Sequence, residues 1–253
     1  MVTVKKISDY INEIAPYNNQ CEWDNCGLLI GNESKEVKKV GFVLDLTSET
    51  LDSALNNGVD LIITHHPVIF KPQKNFLTGN IAYEAAIKGI SVISAHTCFD
   101  SAIGGVNDVL CNILGVKNIS GVYSDAYPVP VARIGNIDEI SSSDFAVTVS
   151  KKLKTHCRVV DCSNSIKKVA VCGGSGADFL SDVFNMGADA YVTGEMDHHE
   201  MLYAAELGIT VVLAGHFETE NPSMLVLKEN ICNNFVGVEG IVLNQKNPVK
   251  YIG

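Results

Sequence analysis

VKKVGFVLDLTSETLDSALNNGVDLIITHH, residues 37–66, and IKKVAVCGGSGADFLSDVFNMGADAYVTGE, residues 166–195, align without a gap at an offset of 129. Lys38, Lys39, Val40, Leu51, Asn56, Gly58, Asp60 and Thr64 recur as Lys167, Lys168, Val169, Leu180, Asn185, Gly187, Asp189 and Thr193. Beyond them, KGISVISAH (88–96) is echoed by LGITVVLAGH (207–216). A chance match does not persist over such a length, so the chain reads as an internal duplication. Upstream, each copy carries a helical spacing of apolar residues (Val4, Ile7, Ile11, Ile14; then Phe145, Val149, Leu153) followed by a short strand, GLLIG or RVVD. Short apolar strands such as VGFVLD, DLIIT and ISVISA alternate with helical segments, which is the pattern of α/β units. Glycines 58, 89, 187 and 208 stand where helices should stop before the next strand. The expected architecture is two similar α/β lobes, 1–125 and 126–253, with a site in the cleft between them.

The composition sets limits on function. The chain has 253 residues, 46% of them hydrophobic, and a mean hydropathy of +0.15, enough to bury a sizeable core. Its apolar runs are far short of the roughly 20 residues of a membrane helix, and the N-terminus lacks the apolar core of a signal peptide, so a cytoplasmic protein is expected. A net charge of −10 repels a phosphate backbone and argues against nucleic-acid binding. The eight cysteines (21, 26, 98, 111, 157, 162, 172, 232) form no CxxC pair and read as small buried hydrophobes in a reducing compartment.

Where the copies differ, ligand chemistry appears. After Thr64 the first copy has His65-His66-Pro67; after Thr193 the second has Gly194-Glu195 and then MDHHE. After the next strand the first has HTCFD, ending in Asp100, and the second has GHFETE, with His216 and Glu220. All follow strand ends, where open α/β sheets bind ligands. Neighbouring side chains of an extended segment point to opposite faces, so His65 and His66 suit two adjacent ions, one histidine each. Pro67 favours that extended geometry at His66. Pro222 places the start of a helix there and leaves Glu220 in the loop before it, so His216 and Glu220 are not expected to share a helix face. Taken singly, each motif also has a plain reading: hydrogen-bonded loop histidines, a helix-capping Asp100, a Glu220 favoured by a helix N-terminus. Together, His65, His66, Asp100, His216 and Glu220 are three imidazoles and two carboxylates, a set for two divalent ions such as Zn, Mn, Fe or Co, with one carboxylate bridging and positions left for water.

Six ordered segments carry a resemblance over nearly the whole chain: WDNCGLLIG (23–31), ITHHP (63–67), SAHTCFDSAIGGVND (94–108), VCGGSG (171–176), TGEMDHH (193–199) and GHFETE (215–220). They resemble the motifs of the NIF-three-like family, also called GTP cyclohydrolase 1 type 2 homologues. The resemblance implies two related α/β lobes around a dinuclear metal centre, ligands at His65, His66, Asp100, His216 and Glu220, and a toroidal homohexamer. It implies hydrolysis of GTP to formate and dihydroneopterin triphosphate by metal-activated water, within the broader class of hydrolases acting on nucleotides or phosphorylated small molecules. Cys98 departs from the polar residue common in that loop of the family. Glu195 is the candidate general acid or base, with His199 or His198 assisting. The CGGSGAD turn lies between a strand and a helix, where amides can cradle an anion, but such a lone Gly-rich stretch is more often just a turn. Lys71 and Lys74 are candidate triphosphate contacts or plain solvated lysines. A non-catalytic metal-binding or interaction scaffold is the alternative to the hydrolase.

Overall fold

The computed structural model describes residues 1–250. In chain order the elements are α1 (Val4–Ile14), β1 (Gly27–Ile30), β2 (Lys39–Val43), α2 (Ser48–Asn56), β3 (Leu61–Thr64), α3 (Ile81–Ile87), β4 (Ser91–Ser94), α4 (Thr97–Ser101), α5 (Val106–Leu114) and β5 (Lys117–Gly121). They continue with β6 (Arg133–Ser141), α6 (Ser142–Leu153), β7 (Arg158–Val160), β8 (Ser165–Ser175), α7 (Leu180–Asn185), β9 (Ala190–Glu195), α8 (His198–Leu207), β10 (Thr210–Leu213), α9 (His216–Glu220), α10 (Pro222–Asn234) and β11 (Glu239–Val242). Two sheets result, with strand orders β1-β4-β3-β2-β11 and β7-β10-β9-β8-β6-β5. None of the helices among the described residues is long and apolar enough to cross a membrane.

The repeat read from the sequence reappears as matching register. Strand β2 pairs in parallel with β3 through Val40–Leu61 to Val43–Thr64, and β8 pairs in parallel with β9 through Val169–Ala190 to Cys172–Thr193, each partner shifted by 129. Both sheets then add a parallel strand, β4 or β10, and an antiparallel edge strand, β1 or β7. One side chain fixes the strand entries in each. Asp60 Oδ2 accepts from the amides of Lys38 (2.9 Å) and Lys39 (3.0 Å), and Asp189 Oδ2 accepts from those of Lys167 (2.9 Å) and Lys168 (2.7 Å). The expected helix stops hold, since Gly58 (φ +66°) and Gly187 (φ +76°) adopt the left-handed geometry that ends α2 and α7.

The central parallel strands are apolar along their length because both faces are covered. In the first unit Val43, Leu51, Ala54, Ile62, Ala85 and Val92 pack in one cluster. Helix α1 buries the stripe Val4, Ile7 and Ile11, with Thr3 capping its first turn by accepting from the Lys6 amide. In the second unit Phe145, Val149, Val169, Val171, Val192 and Val212 form one cluster, and Phe179, Val183, Tyr191, Val211 and Leu213 another.

The division of the chain differs from a single break near residue 125. The first compact unit is Met1–Ile103 with Met224–Pro248, and the second is built on Gly104–Ser223. Helix α5 and strand β5, which follow the first copy, belong to the second unit: β5 pairs antiparallel with β6, and Leu110, Cys111 and Leu114 of α5 enter its core. Strand β11, which follows the second copy, belongs to the first unit, where it pairs in parallel with β2 and Leu243 joins the core. Each copy therefore sends its closing segment into the other unit's sheet. Sequence repetition locates the copies, but the partner of a closing strand is a long-range choice that repetition does not encode.

Candidate metal centre

In the first unit the carboxyl ends of β2, β3 and β4 gather Asp45, His65, His66 and His96. The chain stays extended past β3: the His65 amide donates to Val43 O (3.2 Å) and that of His66 to Leu44 O (3.0 Å), which keeps the alternation of faces expected for the pair. His65 is fully buried, and its Nδ1 donates to the carbonyl of Ala95 (2.9 Å). The Nδ1 of His66 donates to Asp45 Oδ1 (2.6 Å). Gln245 in turn fixes Asp45 from the strand-β11 segment, donating from Nε2 to Oδ2 (2.6 Å) while its Oε1 accepts from the Asp45 amide (2.9 Å). His96 caps the start of α4, and its Nδ1 donates to Asp24 Oδ1 (2.9 Å). Asp100, on α4, places Oδ1 3.6 Å from His65 Nε2. One ring nitrogen from each of His65, His66 and His96 lies within 4.8 Å of the others, a geometry suited to holding metal ions.

Asp24 is the most heavily engaged carboxylate of this group. It also accepts from the Asn25 amide (2.7 Å), the Thr97 amide (3.0 Å) and the Thr97 hydroxyl. Burial acts to raise its pKa, but the His96 imidazole first, then Thr97 and the Asn25 amide, outweigh it and hold the carboxyl well below the ordinary value. Cys98, fully buried on α4, has its thiol pushed far above the usual range by its hydrogen bond with Cys26 and by burial, which makes it an inert neighbour of Asp100.

In the second unit β9 and β10 end beside α9. His216 opens that helix and Glu220 closes it. This corrects the loop expected before Pro222: Asn221 keeps right-handed helical geometry (φ −55°, ψ −33°), and Pro222 begins α10 directly after it. The proline removes only one donor there and does not unwind the preceding turn. His216 and Glu220 consequently share a face, with Nε2 3.1 Å from Oε2. The Nδ1 of His216 donates to Glu195 Oε1 (2.7 Å). Glu195 thus orients the His216 ring. His199 lies exposed in the first turn of α8 and is not brought to that group; Glu195 and His198 line one recess with Arg158, Ser175 and Asp197.

The CGGSG segment lies in and after strand β8, and its amides are already committed. Those of Gly173, Gly174 and Gly176 donate to Asn107 Oδ1 (2.8 Å), Thr219 Oγ1 (3.0 Å) and Thr193 Oγ1 (3.1 Å), so the segment is no anion cradle. Its glycines serve close approach. A Cβ at Gly174 (φ +64°) would strike Glu220 Oε1 and stand 3.1 Å from His216 Nε2. Gly194, which replaces His65 in the second copy, would with a Cβ press to 2.8 Å from the His216 Cα.

The donor chemistry fits a metal. His65, His66, His96 and His216 each donate from Nδ1 to a carbonyl or carboxylate, so a neutral ring presents the Nε2 lone pair. In two cases that nitrogen faces a carboxylate oxygen, at 3.6 Å in His65–Asp100 and 3.1 Å in His216–Glu220. Two ligands bound about 2.1 Å from one ion at tetrahedral angles stand roughly 3.4 Å apart. Both pairs therefore have the spacing of neighbours on one cation.

Reading the sequence missed Asp24, Asp45 and His96 as parts of this arrangement. His96 was visible in HTCFD, and Asp45 follows a strand in the same way as the histidines, but a carboxylate that orients a ligand has no spacing rule of its own.

Two α/β units whose strand ends carry imidazoles that could hold a metal ion make a protein of NIF-three-like design. The comparison with protein families agrees: residues 2–248 match the DUF34/NIF3 (NGG1p interacting factor 3) model, and the chain belongs to that family. It is 33% identical to a Clostridium perfringens protein named GTP cyclohydrolase 1 type 2 homolog, over 98% of this chain and 100% of that one. It is 31% identical, over the whole of both chains, to a Helicobacter pylori protein named GTP cyclohydrolase 1 type 2. Among solved structures, the Staphylococcus aureus hypothetical protein SA1388 superposes with a TM-score of 0.90 at 26% identity, covering 99% of each chain.

Proposed function

We propose that the protein is a dinuclear metal-dependent hydrolase of a nucleotide or other phosphorylated small molecule, with His65, His66, Asp100, His216 and Glu220 as ligands of two divalent ions. The observation that carries this reading is the facing of imidazole nitrogen and carboxylate oxygen at 3.6 Å in the first unit and 3.1 Å in the second, with every ring held from its other nitrogen. N and O donors without thiolate favour Zn, Mn, Fe or Co in a catalytic site. When bound, such ions supply Lewis acidity, lowering the pKa of water and neutralising a developing oxyanion. The chain's own residues hold the tautomers: Asp45 and Asp24 keep the proton of His66 and His96 on Nδ1, and Glu195 does so for His216. Glu195, exposed at the end of β9, is in this reading also the general acid or base toward a substrate. Ring opening of GTP to formate and dihydroneopterin triphosphate is the named version, supported by the names of the relatives. A homohexamer in the cytoplasm completes the proposal; eight free thiols support a reducing compartment.

The test is to measure metal content after reconstitution and then hydrolysis across nucleotides and phosphoesters, for the wild type and His66→Ala. We expect two ions per chain, turnover in the wild type and its loss in the variant. Two bound ions without turnover under any metal overturns the hydrolase in favour of a scaffold, and fewer than two ions overturns the dinuclear centre. Light scattering checks the hexamer.

A further inference from the structure

Two large aromatic side chains stand exposed beside the histidine cluster of the first unit. Trp23 is 54% and Phe70 44% solvent-exposed, with ring centroids 5.6 Å apart and planes tilted by 42°. Both also meet His96 edge to face, at 5.9 Å for Trp23 and 6.3 Å for Phe70. His96 is itself 5.0 Å from the His65 ring and 5.3 Å from that of His66. The aromatic pair is therefore continuous with the metal-binding histidines through one shared ring.

The pair is fixed in place. Asp24, next to Trp23, is pinned by His96 and Thr97. Asn25 Nδ2 donates to the carbonyl of Ile69 (2.7 Å), tying the Trp23 segment to the residue before Phe70. Exposed aromatic rings lose the benefit of burial, and these two stand exposed on a backbone anchored beside them. Exposed π-faces on an anchored backbone are the form taken by stacking platforms for flat rings, because less is lost in ordering them on binding.

We propose that Trp23 and Phe70 form a platform that stacks a planar heteroaromatic ring of the substrate and so select for nucleotides over ring-free phosphoesters. The proposal rests on the hydrolase reading for the identity of the site, but not for its test. A separation of 5.6 Å leaves no room for a third ring between the two, which needs roughly 7 Å, so the ligand lies across the pair. Lys71, exposed and next in sequence to Phe70, supplies the charge for an attached phosphate.

Trp23 is the only tryptophan of the chain, so its fluorescence reports on this surface alone. The experiment titrates the full-length protein, metal-free and metal-loaded, with guanosine 5′-monophosphate, adenosine 5′-monophosphate and ribose 5-phosphate. We expect emission accessible to iodide before ligand, saturable quenching by both nucleotides, and none by ribose 5-phosphate. Phe70→Leu should weaken nucleotide binding by roughly five- to a hundredfold. Phe70→Tyr, which keeps the ring, should retain it, and equal melting temperatures show that neither variant acts through misfolding. Iodide-inaccessible emission would mean that a second copy covers the platform, and it overturns the proposal. So does equal response to ribose 5-phosphate, absence of saturable quenching, or unchanged affinity in Phe70→Leu. Ring binding without any turnover removes the hydrolase and leaves the platform; turnover of ring-free phosphoesters without ring binding does the reverse.

Discussion

Asp45 gives the sharpest measure of whether the carboxylates behind the histidines matter. Its Oδ1 receives the His66 Nδ1 proton at 2.6 Å and its Oδ2 is held by Gln245 at 2.6 Å, while its side chain is 39% exposed. Asp45→Asn keeps an acceptor and removes the charge. A hydrogen bond to a charged group contributes about 1.5–3 kcal/mol and a neutral one about 0.5–1.5, so the loss is about 1–1.5 kcal/mol, or roughly five- to tenfold in metal affinity. Asp45→Ala removes the acceptor, frees the ring to rotate and change tautomer, and should weaken binding by about 10- to 100-fold. Partial exposure lets water replace the lost partner, so the metal-free melting temperature of the two variants should differ little. Competition with a chromophoric chelator gives the affinities and thermal unfolding without metal gives the control. If Asp45→Ala binds zinc within twofold of the wild type while His66→Ala does not, the carboxylate does not orient the ligand and the reasoning fails.

Other outcomes follow from single contacts. Gly174→Ala sets a Cβ against Glu220 and imposes a left-handed φ on alanine, which alone costs about 1–2 kcal/mol; calorimetry should show a lowered melting temperature and chelator competition a weakened site, whereas Gly237→Ala, with open space around it, should show only the backbone cost. Asp60→Ala and Asp189→Ala each strand two strand-entry amides and should each destabilise by about 1–3 kcal/mol in denaturant titration; a large difference between them would contradict the equivalence of the two copies. Asp24 has a pKa lowered by folding from the ordinary 3.8, so its stabilisation is complete above about pH 4 and is lost as pH falls below that value. The stability gap between wild type and Asp24→Asn should accordingly be widest near neutral pH and narrow on acidification, and a gap constant between pH 6 and 3 would refute the assignment.

The α/β class and the repeat were legible because apolar periodicity and an ungapped offset are local signals, and the strand register is the same in both copies at the offset of 129. The histidine pair could be placed at strand ends for the same reason. Three things were not legible. The helical turn across His216–Glu220 was hidden by Pro222, whose local bias was outweighed by continuation into α10. Asp24 and Asp45 orient histidines 72 and 21 residues away, distances fixed by sheet order and not by spacing. The glycines of CGGSG left an anion cradle open beside an ordinary turn, since a glycine needed for close side-chain approach and one needed for an anion have the same sequence signature.

The return of the chain's last strand into the first sheet has a consequence for biosynthesis. Strand β11 docks on β2 by parallel pairing, the Leu243 amide donates to Phe42 O at 2.8 Å, and Gln245 then closes over Asp45. His65, His66, His96 and Asp100 leave the ribosome long before residue 245 does, so in a nascent chain Asp45 stands without its Gln245 support. The orientation of His66 by Asp45 is therefore complete only once residue 245 has docked. The fold thereby couples the setting of one candidate ligand to the docking of β11.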